Sequence, residues 1–130
     1  MRRADGGEAP VDWGALASGV LWGLLLMAVS SLALGLLDFR FPPNPREEAA
    51  RALIVQGVAA LLAGGRAAWR SGRGRMVHGL AAGVGLMAAV TVIIGIFRDL
   101  PGAVGLVRAL LLGAGAGALA GAAAAGFSRR

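Results

Sequence analysis

The chain has 130 residues, 57% of them hydrophobic and only 15% charged, with 22 glycines and a mean hydropathy of +0.71. Water-soluble domains carry about half apolar and about a quarter charged residues, so a soluble domain is excluded and an integral membrane protein expected. The thirteen cations are all arginine, against seven acids for a net charge of +6, and the lack of cysteine excludes disulfides, thiolate metal sites, haem attachment and cysteine nucleophiles.

The arginines flank apolar runs and form no single stripe interleaved with aromatics, so nucleic acid is not an expected partner and the charge reads as topology information. Residues 1–12 read as a polar N-terminal tail. Arg2 and Arg3 would suit a signal peptide, but three acids follow them. The next apolar run also exceeds the usual 7–15 residues of a signal sequence, so removal is not expected.

Between Asp12 and Asp38 nothing is ionisable, and a first span over 13–37 would be roughly 38 Å long as a helix, enough to cross the hydrocarbon core with some tilt. The following segment carries three prolines, then Asn44 as a cap, Pro45 at the first helical position, and Glu47 and Glu48 in the first turn. The second span is placed at 49–69. Its apolar part, Ala52 to Gly65, is short, so Arg51 and Arg66 must snorkel toward opposite interfaces while Trp69 sits among the headgroups.

Arg70, Arg73 and Arg75 then form a compact basic turn with interspersed glycines. The third span covers 76–97. Its β-branched cluster from Val90 to Ile94 would suggest a strand in water, but backbone groups in lipid must pair within the segment. After a reversal at 98–102 comes the fourth span, 105–127, whose alanine and glycine insert less readily than leucine and leave it dependent on its neighbours. Residues 129–130 close the chain. The expected fold is an all-α integral membrane four-helix bundle over 13–128, built from two similar hairpins.

Eight arginines, namely 2, 3, 66, 70, 73, 75, 129 and 130, fall on one side of this arrangement. Five fall on the other, nearly cancelled by Asp38, Glu47, Glu48 and Asp99. The positive-inside rule then puts both termini and the 70–75 turn in the cytoplasm of a cell-membrane protein. Arg66, Arg70, Arg73 and Arg75 are the expected contacts to anionic headgroups.

The two hairpins also resemble each other. Gly19, Gly23, Leu26, Met27, Ala28 and Gly35 fall on Gly79, Gly83, Leu86, Met87, Ala88 and Gly95, and Leu62-Ala-Gly64 falls on Leu119-Ala-Gly121. Such a duplication implies a pseudo-two-fold along the membrane normal.

Glycines recur every four residues at Gly19/Gly23, Gly79/Gly83 and Gly113/Gly117/Gly121. That spacing bares one helix face to close approach, either within the chain or to a second copy or a larger membrane partner. His78, the lone histidine, lacks the partners a metal site needs and reads as a capping or hydrogen-bonded residue. No acid or base stands near Ser30 or Ser31, so no catalytic site, metal or cofactor is expected. Gln56 and Thr91 are the candidates for a polar path. Every carboxylate lies outside the apolar runs, unlike the small multidrug exporters, which depend on a glutamate in the first helix.

The segment from Ala63 to Gly83 resembles the middle of the YrzE-like family of small bacterial four-span proteins. The likeness lies in a Gly-Gly-Arg-Ala end to the second span, a short basic glycine turn, and His78-Gly79 with a further glycine four on. It extends loosely over about residues 13–128. The resemblance implies four spans and no catalytic residues; the arginine-only composition and acidic N-terminal extension depart from it. The function expected is structural or accessory, with a small-solute or ion translocator as the alternative and a holin-like lesion former as a third reading.

Overall fold

The structure, a computed structural model, describes residues 11–129. The first ten residues, with Arg2 and Arg3, and Arg130 lie outside the described residues. Four helices follow in order: α1 Trp13–Arg40, α2 Pro45–Ser71, α3 Arg75–Phe97 and α4 Ala103–Phe127. All four are long and apolar enough to cross a membrane.

Local chemistry accounts for the helix ends. The Asp12 carboxylate accepts from the Ala15 N–H at 3.0 Å and caps α1, satisfying one of the donors a helix start leaves free. The Asn44 side chain does the same for Glu47 at 2.9 Å, with Pro45 opening α2. α2 thus begins at the cap and proline expected to open it, ahead of the apolar run that follows. α1 likewise continues past Leu37 to Arg40, since backbone hydrogen bonding does not stop where hydrocarbon does. Asp38 thus sits in the last turn, where the helix dipole disfavours an anion, and Arg51 Nη1 meets its Oδ1 at 2.6 Å. Gly72 and Gly74 carry α2 into α3 at φ of 67° and 59°, a left-handed backbone that side-chain-bearing residues adopt at a cost.

α2 and α3 touch each other and both remaining helices, whereas α1 and α4 do not touch among the described residues. α2 is the least apolar helix and the most buried. Ala59, Ala60, Ala63, Ala67 and Ala68 are all fully enclosed, and the largest fully buried side chains are Leu86 and Met87. Large apolar residues point outward instead, Leu21, Leu25, Leu32 and Leu36 of α1 among them. This is sorting by size, which suits lipid: the tails solvate leucine as well as a core does, and close packing of small residues holds the helices together.

The hairpins share a seam but the bundle does not share their symmetry. A two-fold exchanging them would pair α4 with α1 wherever α2 meets α3, and that contact is missing. Glycine pairs face small residues in both hairpins: Gly19 lies against Ala63 and Ala67, and Gly79 against Gly117 and Gly121. By these contacts Ala63 corresponds to Gly117, about one turn from the register in which Leu62–Gly64 aligns with Leu119–Gly121.

Candidate functional site

The seven glycines singled out by spacing, Gly19, Gly23, Gly79, Gly83, Gly113, Gly117 and Gly121, are all buried. Gly23 faces Leu86 and Ala63, and Gly83 and Gly113 face each other's backbone. Gly121 lies on Arg75 and Met76 at the start of α3. Because all seven meet helices of the same chain, none of these faces is left open to a second copy or a partner.

Gly64, which spacing did not single out, stands where three helices meet. A Cβ there would lie 2.6 Å from Gly117 Cα and 3.0 Å from the Gly79 carbonyl. The signal was present in the four-residue rows Ala60-Gly64-Ala68 and Ala59-Ala63-Ala67. Alanine in a marginally apolar span reads as weak insertion before it reads as packing.

At the end bearing the basic turn, two long-range contacts tie the helices together. The buried His78 accepts from the Asp12 backbone N–H through Nε2 at 3.0 Å, while Nδ1 lies 3.0 Å from the Gly74 carbonyl. An acceptor at Nε2 assigns a proton to Nδ1, so the ring joins the start of α1 to the start of α3. Arg75 Nη1 donates to the Ala124 carbonyl at 2.9 Å, serving the last turn of α4, where carbonyls lack helical partners. Arg66 lies over the Trp22 ring, 5.7 Å from its centroid, within cation–π range. Arg70 and Arg73 are exposed. Gly72, Gly74, Arg75, Ser128 and Arg129 line an open groove of about 360 Å³.

The opposite end holds two cavities, and Gln56 lines both. One, of about 340 Å³, lies among α1, α2 and α3 with Ser31, Asp38, Glu48 and Arg51 on its wall. The other, of about 240 Å³, lies among α2, α3 and α4 and brings Thr91 and Arg108 to the same space as Gln56. The Thr91 hydroxyl donates to the Met87 carbonyl at 2.8 Å, within its own helix. Beyond Gln56 toward the basic end the interior is Ala59, Ala60, Ala63, Leu86 and Met87, followed by Gly64 and Ala67. Gln56 and Thr91 therefore line one cavity at one end of the bundle, and among the described residues the buried core beyond it is apolar. Among the described residues no group of three or more histidines and acids could hold a metal ion.

Four membrane-length helices packed around a small-residue core define a small four-helix protein of membrane-spanning type. Residues 12–124 match the family described as Protein of unknown function (DUF3792), and the chain belongs to that family. No curated protein and no solved structure matches the chain.

Proposed function

We propose that the protein is a structural or accessory component of a bacterial cell membrane, a closed bundle that stabilises or positions a membrane partner and carries no solute. We also take the resemblance to YrzE-like proteins to reach this chain through the basic turn and His78. The observation that carries the accessory reading is the close-packed interior between Gln56 and the basic end, where alanine and glycine backbones leave no polar lining. A second copy or a larger partner would meet the outward side chains, since the glycine seams are occupied.

In this reading the termini and the 70–75 turn face the cytoplasm. Supporting it are the arginine excess at that end and the groove in which Arg75 and Arg129 stand beside the start of α3, a setting that favours headgroup phosphates. Translocation is the second reading, supported by Gln56 and Thr91 in adjoining cavities. Carboxyfluorescein and potassium release from proteoliposomes separates the two. The accessory reading expects release no faster than from protein-free liposomes, with Gln56→Ala making no difference; sustained release that Gln56→Ala alters would establish a path.

A further inference from the structure

The cavity among α1, α2 and α3 has the anatomy of a ligand site. Its 340 Å³ falls within the roughly 300–1,000 Å³ usual for small-molecule pockets. It runs from Asp38 down α1 to Met27, about 16 Å along the helix axis at 1.5 Å per residue. Val55, Val90 and Ile94 make the body of the wall apolar, while Ser31 and Gln56 offer the polar groups inside it. Gln56, half-buried, supplies both a carbonyl acceptor and an amide donor.

Charge is concentrated at the mouth. Asp38 and Arg51 neutralise each other across 2.6 Å, the one ion pair among the described residues. Glu48 lines the same cavity, so its wall carries two carboxylates against one arginine. The neighbouring cavity presents the opposite sign, having Arg108 and no carboxylate on its wall. An elongated apolar body with two carboxylates against one arginine on its wall complements an amphiphile of matching shape and opposite charge.

We propose that this cavity binds a lipophilic organic monocation, its ammonium group at Glu48 and Asp38 and its apolar body lying along Met27, Val55, Val90 and Ile94. The ammonium gains the carboxylates at the interface, where water still reaches the site, and the body replaces loosely held water or lipid against the apolar wall. Arg51 opposes the cation and also holds Asp38 partly occupied. Its removal therefore strengthens binding, whereas removal of Glu48 weakens it.

The test uses the full chain in detergent and a matched pair of probes, fluorescent 1-pyrenemethylamine and its neutral analogue 1-pyrenemethanol, titrated at neutral pH. Saturable binding of the amine, with the alcohol markedly weaker, is the expected result. Glu48→Gln should weaken the amine about tenfold, as loss of one solvent-screened charge contact allows, and leave the alcohol unchanged. Arg51→Gln should tighten the amine several-fold. Glu48 is exposed and outside the packed core, so the variant keeps the bundle, and an unchanged thermal unfolding profile verifies this. Equal binding of amine and alcohol, no saturable binding, or indifference to Glu48→Gln would each overturn the proposal.

Discussion

Gly117→Ile is expected to break the bundle, and Gly115→Leu, two residues away on the same helix, to leave it intact. A Cβ at Gly117 runs into the Gly79 carbonyl and lies 3.1 Å from Gly83 Cα, whereas at Gly115 it meets nothing within 4 Å. Side chains relieve overpacking by changing rotamer, but here the obstacle is backbone, so α4 must leave α3 or both must shift. The cost should reach or exceed the upper end of the usual range, about 3 kcal/mol. Gly64, lying on Gly117 and Gly79 together, carries the disturbance into α2. Thermal unfolding in mild detergent should show a large loss for Gly117→Ile and little for Gly115→Leu. Equal tolerance at both positions would make the glycine spacing a matter of composition.

Replacing Arg66, Arg70, Arg73 and Arg75 together by glutamine should give mixed topology, because about 1 kcal/mol per cation at an anionic leaflet is then lost four times over. The readout is an impermeant maleimide added to intact cells carrying Asn44→Cys or Ser71→Cys in a chain with no other cysteine. In the parent chain position 44 should label and position 71 should not; in the fourfold variant both should label in part. Lysine at Arg70 and Arg73 should preserve orientation and stability, since attraction to headgroups needs only a point charge. Arg75→Lys should differ from these two. The guanidinium reaches the Ala124 carbonyl from α3, and a lysine lacks its forked geometry. Retained orientation with lower thermal stability is the expected combination. A clean, unmixed orientation after fourfold replacement would contradict the arginine account.

The four helices are legible in the sequence because the apolar runs are long and their breaks are marked by proline, glycine and arginine. Asn44 and Pro45 likewise announce α2 by local chemistry alone. Asp38 does not read as helical, since apolar character ends at Leu37 while the backbone continues until a cap or proline stops it. The central position of α2 was implicit in its weakness. A helix with arginines near both ends and alanine between them is poorly suited to lipid and is the one best placed among its neighbours.

The link from Asp12 to His78 had no sequence signal, because a hydrogen bond between residues so far apart depends on how the helices pack and not on any periodicity. Glycine spacing identified faces that pack closely but not what they pack against. The same four-residue pattern serves an internal seam or an oligomer, and only the contacts of Gly19, Gly79 and Gly117 assign these to the chain itself.

The central claim, a bundle closed between Gln56 and the basic end, is tested most directly by single cysteines at Gln56, Ala60, Ala63 and Ala67 exposed to a charged methanethiosulfonate reagent from each side of the membrane in turn. The account predicts that Gln56→Cys reacts from the side facing Asp38 and Arg51 only, while Ala60→Cys and Ala63→Cys react from neither. Reaction at Ala63→Cys, or at Gln56→Cys from both sides, would mean a water-filled path through the bundle and would contradict it.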